Sequence, residues 1–300
     1  HGEEDIYRVF FKQPITAHQQ ISEVPTFYQM QLLALNNNVK PTEPIAEPVE
    51  IKEYYISHLF FDANVDILTP QNNKKLDQLA NLLLIYPKIT AELSCFELPT
   101  GQKTFNLYFS IKKTEKAAEY LAGKGIPRSR LLLKGYGSSF PLVAKPVSNN
   151  ISPLYQKLNQ RLEIALHDYE SEPVIIDIEG IKVPENLQDP KGVKFSTLSN
   201  QLFYSVQIAS ISQILQSQAI ESVEELFIEV ENSSGNYLYM AGMIPTFKEA
   251  EKLMSSLIDL GFPDARIVPY INGIRIPQGS VADYAKKYPD LLFFLAGKKK

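Results

Sequence analysis

The sequence predicts an α+β protein with two small α/β-sandwich domains, each packing helices on a sheet. Three observations indicate this class. Apolar residues recur at helical spacing after Thr69 and after Thr246. Short runs such as 89–95 alternate apolar and polar residues, which is typical of strands with one buried face. Segments rich in proline and acidic residues separate these regions, as linkers do.

These patterns divide the chain into five parts. A length of 300 residues favours two domains. The expected order is an N-terminal arm, linker or end of an upstream domain (1–50), a first domain (51–168), a linker (169–198), a second domain (199–277), and a C-terminal helix with a basic tail (278–300). Within the first part, residues 6–11 alternate like a strand. The chain starts His1-Gly2 with neither Met nor a signal peptide, so we expect it to be processed or cut from a longer protein.

The first domain is expected to follow the order β-α-β-α-β-β. A strand-like run covers 54–62, and Thr69-Pro70 supplies an N-cap and a first-turn proline for the next helix. Strands are predicted at 89–95, from 131 into the Gly135-Tyr136-Gly137 stretch, and at 161–166. A helix is expected at 109–122, and a long loop reaches Asn159.

The second domain is expected to follow the order β-α-β-β-α-β. Strands are predicted at 203–210, 226–230, 237–243 and 265–270, and the middle two form a hairpin. A weak helix is expected at 211–223, a clear one at 246–261, and a short terminal one at 279–288.

Bulk composition restricts the class of function. The net charge of -4 argues against nucleic-acid binding, which normally requires a basic face. No apolar run is long enough to cross a bilayer. The single cysteine, Cys95, cannot form an intramolecular disulfide and lies at an alternating apolar position, so we expect a core thiol.

One stretch carries candidate binding chemistry. The strand at 89–95 leads to an acidic residue, Glu97, and a Pro/Gly loop leads to Asn106 and then to Lys113 near a helix start. A carboxylate facing a cation can clamp a zwitterion, taking its ammonium and its carboxylate respectively. The alternative is a solvated pair that contributes little.

Catalytic and metal sites find no support in the sequence. The four histidines are scattered, with no spacing typical of a zinc site. The Gly135-Tyr136-Gly137 stretch lacks the Lys-Ser/Thr of a phosphate loop. Because no set of nucleophile, base and orienting group is present, we expect no enzyme, no metal and no cofactor.

Residues 55–167 resemble the OmpA-like C-terminal domain, which binds peptidoglycan. The resemblance rests on Phe60-Phe61-Asp62, Asn106, Phe109-Ser110 with Lys113, Gly125-Ile126-Pro127, Gly135-Tyr136-Gly137 and Asn159-Gln160-Arg161-Leu162-Glu163. In that family an Asp and an Arg grip the diaminopimelate of the stem peptide, and here Glu97 and Lys113 occupy those positions. The resemblance implies a pocket of Glu97, Asn106, Lys113, Asn159 and Arg161.

Two consequences of these departures stay open. Lys113 keeps the positive charge but lacks the bidentate fork of arginine, and Gln160 stands where the family has an Arg. Either the pocket still binds peptidoglycan, with lower affinity or altered specificity, or the fold serves only as a scaffold.

Residues 202–276 resemble a SPOR domain, a module that binds glycan strands stripped of stem peptides. The resemblance rests on 204–208, 237–242, Glu249-Ala250, Gly261-Phe262 and the ending 265–276, which looks like a variant from Bacteroidetes envelope proteins. If Val206 and Tyr239 face the core, alternation places Gln207 and Met240 on the open sheet face. There they would contact glycan, and the alternative is that Gln207 is an ordinary surface residue.

Together the resemblances imply a non-enzymatic periplasmic adaptor that binds peptidoglycan and holds an outer-membrane-associated complex to the cell wall. Expected partners are peptidoglycan and outer-membrane or lipoprotein components. The alternative is that both modules are degenerate and act as a protein-interaction scaffold in an envelope machine, such as a type IX secretion or gliding apparatus.

Overall fold

The computed structural model describes residues 51–62, 66–146, 152–214 and 218–297. The predicted strand at 6–11, the rest of the N-terminal part and the three final lysines lie outside the described residues. The strands are β1 (Lys52–Ile56), β2 (Leu59–Phe60), β3 (Thr90–Phe96), β4 (Leu131–Gly137), β5 (Arg161–His167), β6 (Val174–Ile178), β7 (Leu202–Ile211), β8 (Leu226–Val230), β9 (Tyr237–Ile244), β10 (Arg266–Ile271) and β11 (Ile274–Arg275). The helices are α1 (Pro70–Ile85), α2 (Lys103–Gly123), α3 (Pro153–Asn159), α4 (Pro190–Leu198), α5 (Gln218–Glu221), α6 (Phe247–Asp259), α7 (Val281–Tyr284) and α8 (Leu291–Gly297).

In the first half, residues 51–168, two helices pack on a four-stranded portion of the sheet. The Thr69 hydroxyl accepts from the backbone N–H of Asn72, and Pro70 occupies the first turn of α1, as predicted. β3 pairs in parallel with β4 and antiparallel with β5, whose other neighbour is β2. Buried leucines of α1 and α2 form one core with the β3 side chains Ala91 and Leu93.

In the second half, residues 199–277, the elements follow the order β7, α5, β8, β9, α6, β10 and β11. β8 and β9 form the expected antiparallel hairpin, and β7 lies between β9 and β10. The hydroxyl of Thr246 accepts from the backbone N–H of Glu249 and caps α6. Asn272 and Gly273 turn β10 into β11 with φ of 50° and 78°, both in the left-handed region that asparagine and glycine tolerate.

The two halves share one sheet. Its nine strands follow the order β11-β10-β7-β9-β8-β4-β3-β5-β2, and β4 pairs antiparallel with β8, with Lys134 opposite Glu229 and Gly135 opposite Ile228. Residues 51–300 accordingly form one compact unit. The mixed helix-and-sheet class is confirmed. The division into domains at 51–168 and 199–277 is not tested by this arrangement and stays a prediction.

The segment expected to be a linker, 169–198, contains regular structure. β6 pairs in parallel with β1 as a separate two-stranded sheet. Asp189 caps α4 by accepting from the backbone N–H of Lys191, and Pro190 starts the helix. Phe195 of α4 packs against Phe96 and Tyr136 on the sheet. These contacts bury apolar surface. The prolines and acidic residues of the segment had predicted a linker without such packing.

Four further expectations need correction. The loop before Asn159 contains α3, which begins because the Ser152 hydroxyl accepts from the backbone N–H of Tyr155. α2 begins at Lys103 instead of 109, and the helix expected at 211–223 is described only as α5. Of the terminal helix expected at 279–288, only Val281–Tyr284 is α-helical, as α7, and a further short helix, α8, follows it.

Candidate functional site

A pocket of about 560 Å³ lies where β3 ends and α2 begins. Three of the five residues predicted for the OmpA-like pocket, Glu97, Asn106 and Lys113, line it together. Glu97 directly follows β3, and the loop up to Gly101 leads into α2, which carries the other two. The strand–loop–helix order of the sequence therefore produces the expected juxtaposition.

The floor of the pocket is an ion pair. The Nζ of Lys113 lies 2.5 Å from Oε1 of Glu97, and the two side chains are 17% and 8% exposed. The same ammonium lies 4.1 Å from the ring centroid of Phe61, a cation–π contact. Burial raises the pKa of Glu97, and the nearby charge of Lys113 only partly offsets that effect. The solvated pair considered as an alternative is therefore not what the structure shows.

Three lysines line the pocket. Lys112, Lys113 and Lys116 lie near the carboxylates of Asp66 and Glu97, and Glu115, just outside the lining, pairs with Lys112 at 2.7 Å, so the local charges balance. Lys116 pairs with Asp66 at 2.5 Å, with both side chains about half exposed. The exposed Lys116–Asp66 pair therefore lies at the opening, where salt screens it, and the Lys113–Glu97 pair lies buried below it.

Asn106 shapes the pocket from within. Its side chain is buried, and its amide group lies between the hydroxyl oxygens of Thr100 at 3.3 Å and Ser138 at 3.2 Å. Through these two contacts Asn106 connects the loop after β3 to the loop after β4, so its side chain holds the pocket loops together.

Asn159 and Arg161 do not line this pocket. The Oδ1 of Asn159 accepts from the backbone N–H groups of Leu142 and Val143, at 2.8 and 3.0 Å, which fixes the loop before α3. Arg161 is fully buried on the opposite face of the sheet, with its guanidinium 3.7 Å from the ring centroid of Phe96. Their predicted contact with ligand is not supported by these positions.

Gln160 lines the pocket instead, at the position where the OmpA-like pattern has an arginine. Gln160 caps the C-terminus of α3 and directly precedes Arg161, the first residue of β5. Alternation separates the two side chains, but nothing in the sequence tells which of them is buried.

The expected exposure of Gln207 and Met240 is wrong. The side chains of Gln207 and Met240 are 5% and 0% exposed. The Oε1 of Gln207 accepts from the guanidinium groups of Arg266 and Arg275. Strand alternation placed both side chains on the correct face, but that face is covered by α4 and an aromatic cluster. It offers the predicted glycan contact no open surface.

The fold and pocket define a class: an α/β module with a buried carboxylate–lysine pair at the floor of an open, lysine-rich pocket. No family model matches the chain. It is similar to "Outer membrane protein A" of Yersinia pseudotuberculosis serotype I (strain IP32953), with 31% identity over 140 residues, covering 44% of this chain and 39% of that protein. It is also similar to "Outer membrane porin F" of Pseudomonas fluorescens, with 23% identity over 123 residues, covering 41% and 35%. The chain thus spans between a third and two fifths of the length of these relatives.

The chain also aligns with parts of two solved structures. The peptidoglycan-associated lipoprotein from Burkholderia pseudomallei aligns with a TM-score of 0.32 and 19% identity, over 36% of this chain and 88% of that one. The periplasmic domain of Helicobacter pylori MotB (residues 78-256) aligns with a TM-score of 0.30 and 17% identity, over 36% and 69%. The sequence relatives support the OmpA-like resemblance, and the SPOR-like resemblance stays a prediction. Among the described residues, no helix is both long and apolar enough to span a membrane.

Proposed function

We propose that this chain is a non-enzymatic envelope protein that binds the stem peptides of peptidoglycan in the Glu97–Lys113 pocket. In this role it holds an outer-membrane-associated assembly to the cell wall from the periplasm. The observation that carries the proposal is the buried ion pair at the floor of an open pocket. Similarity to outer membrane proteins adds support.

The pair suits an α-amino acid head group, such as the free end of diaminopimelate. That group carries an ammonium and a carboxylate on one carbon. Laid against the pair in the opposite sense, it places its ammonium on Glu97 and its carboxylate on Lys113. The four charges then alternate, and each contact is a charge-assisted hydrogen bond.

Binding of this kind does not require the pair to separate. A lysine ammonium has three donor hydrogens and a carboxylate has about four acceptor positions, so each partner keeps capacity after the first bond. The exposed ammonium groups of Lys112 and Lys116 on the pocket wall can also contact the further carboxylates of a stem peptide. Lysine makes single-point contacts where arginine makes a planar fork, so we expect less geometric selectivity.

Co-sedimentation of the full chain with purified sacculi tests the proposal. We expect wild type to pellet, and Glu97→Gln and Lys113→Met to lower the affinity about tenfold or more, as loss of a charge-assisted contact implies. Lys191→Met is the matched control, because Lys191 forms an exposed pair with Glu224 in the other half. Free diaminopimelate should compete. Unchanged pelleting of both pocket variants would refute the pocket, and release of muropeptides would refute the non-enzymatic role.

A protein-interaction scaffold in an envelope machine is the second candidate. The observation in its favour is that Glu97 and Lys113 already pair with each other at 2.5 Å, so neither buried charge requires a ligand for compensation. A chain that fails to pellet with sacculi but co-purifies with envelope proteins, unaffected by Lys113→Met, would favour it.

A further inference from the structure

Three large aromatic side chains form an exposed stripe on the first turns of α2. Phe105, Tyr108 and Phe109 are 43%, 37% and 51% exposed. Their spacing of i, i+3 and i+4 makes them neighbours on one helix face. The rings of Tyr108 and Phe109 meet edge to face, with centroids 5.5 Å apart. We call these three residues the aromatic stripe.

The stripe is not the face that holds α2 to the sheet. The buried residues of α2 include Leu107 and Ile111, which belong to the core of the first half. Packing therefore gives no reason for three aromatic rings on the solvent side. Adjacent exposed aromatic side chains commonly mark a binding surface.

The stripe is continuous with the pocket. Phe109 lines the pocket together with Glu97 and Lys113. A ligand seated on the ion pair and leaving along α2 therefore passes Phe109 first and then meets Tyr108 and Phe105. Whatever is covalently attached to the pocket ligand lies within reach of these rings.

We propose that the aromatic stripe stacks against an amino-sugar ring of the glycan strand while the attached stem peptide occupies the pocket. This inference rests on the proposed function and assigns it a second contact. The C–H groups on one face of a pyranose pack well on the negatively polarised face of an aromatic ring. The hydroxyl of Tyr108 adds a donor and an acceptor for sugar hydroxyls or the acetamido group.

The dimensions agree. Phe105 and Lys113 are eight residues apart on a helix, so about 12 Å separates them along the axis. In a stem peptide, diaminopimelate is the third residue from the sugar, and three extended residues span about 10 Å. A stem held by Glu97 and Lys113 can therefore place its sugar over the outer end of the stripe.

The size of the stripe favours a sugar over a protein partner. Aromatic residues bury 150–250 Å² each, so at the observed exposure the three rings offer roughly 300 Å² of surface. A stable protein interface takes about 800 Å² from each partner. One or two sugar rings match the available area.

Affinity measurements on the full chain with two probes test the inference. One probe is the free tripeptide L-Ala–γ-D-Glu–meso-diaminopimelate. The other is the same tripeptide joined to its N-acetylglucosamine–N-acetylmuramic acid disaccharide. The variants are Phe105→Ala and Tyr108→Ala, which leave the pocket lining intact. Phe293→Ala, 65% exposed on α8, is the control for loss of a surface aromatic.

We expect each stripe variant to weaken binding of the disaccharide–tripeptide about threefold to tenfold, the range for one lost stacking contact. Binding of the free tripeptide should change less than twofold, and Phe293→Ala should affect neither probe. If both probes bind wild type and the stripe variants bind them equally well, the stripe does not contact sugar. If a stripe variant weakens both probes alike, it acts on the pocket and the inference is again wrong. If wild type binds neither probe, the proposed function itself fails.

Discussion

Replacing Lys134 with methionine tests whether the buried charges at the junction of the two halves stabilise the fold. Lys134 lies on β4 with a side chain only 5% exposed. Its Nζ lies 2.9 Å from Oε2 of Glu92 and donates to the carbonyl of Gly273 at 2.5 Å. Glu229, on the partner strand β8, lies 3.8 Å away. One ammonium thus joins two strands of the first half to a strand and a turn of the second.

The expected loss of stability is large because the charges are desolvated. Opposite unit charges 2.9 Å apart attract each other by about 6 kcal/mol at an effective dielectric constant of about 20. The net loss is smaller, because burial of the pair has its own cost. Removing one partner of a buried pair typically destabilises by about 3 to 5 kcal/mol, since the other charge stays buried without compensation. We expect Lys134→Met to fall in that range at pH 7.

The effect should depend on pH in a defined direction. Burial acts to raise the pKa of Glu92, but Lys134 and His167 outweigh it and lower that pKa to about 2 from the ordinary 4.5. Ionised Glu92 therefore stabilises wild type fully above pH 4.5, and this contribution is lost as the pH falls through 2. Without Lys134, burial dominates and the carboxyl gains stability by binding a proton. The difference between wild type and variant should shrink between pH 7 and pH 3.5.

Urea unfolding followed by circular dichroism at both pH values measures this difference, a suitable probe because the chain has no tryptophan. Lys191→Met removes an exposed pair and should change the free energy of unfolding by less than about 1 kcal/mol. If Lys134→Met costs no more than Lys191→Met at pH 7, or if its cost grows on acidification, the assignment of stability to this cluster is wrong.

Three further predictions address packing, capping and ligand binding. Gly135→Ala should destabilise the fold by about 1 to 3 kcal/mol, because a Cβ there would lie 2.7 Å from the backbone nitrogen of Ile111. The control is Gly123→Ala, whose Cβ would meet open space among the described residues and which should be nearly neutral in the same urea titration. Thr246→Ala should cost about 1 kcal/mol by removing the N-cap of α6, and Thr246→Ser should restore most of it. Binding of the free tripeptide should weaken as the pH falls through the raised pKa of Glu97, at a higher pH than an exposed glutamate would give, and Glu97→Gln should abolish that titration.

The pairing of Glu97 with Lys113 was predictable because it depends on local order. A strand, a short loop and a helix connect the two residues within 17 positions, and consecutive elements usually lie side by side. Asn106 followed from the same reasoning. Asn159 and Arg161 entered through the family resemblance, which names positions but not the face on which a side chain lies.

The joining of the two halves into one sheet was not predictable in this way. The contact between β4 and β8 involves two pairs of residues separated by about 95 positions, and no local pattern reports such pairing. Lys134 looks like an ordinary surface lysine in the sequence, since only its partners on other strands compensate for burial. Gln207 shows the same limit: alternation gives its face, but not whether another element covers that face.

The covered faces bear on where a wall polymer can bind. Packing of α4 buries the surface of β7 and β9 that carries Gln207 and Met240, with Phe195 and Leu198 in the same cluster. The pocket of Glu97 and the aromatic stripe lie together on the outer side of α2 and remain open. Peptide and sugar recognition on one helix would need no contribution from the second half. If both proposals hold, the second half contributes through the junction where Lys134 of β4 lies opposite Glu229 of β8, and not through a sugar-binding face of its own.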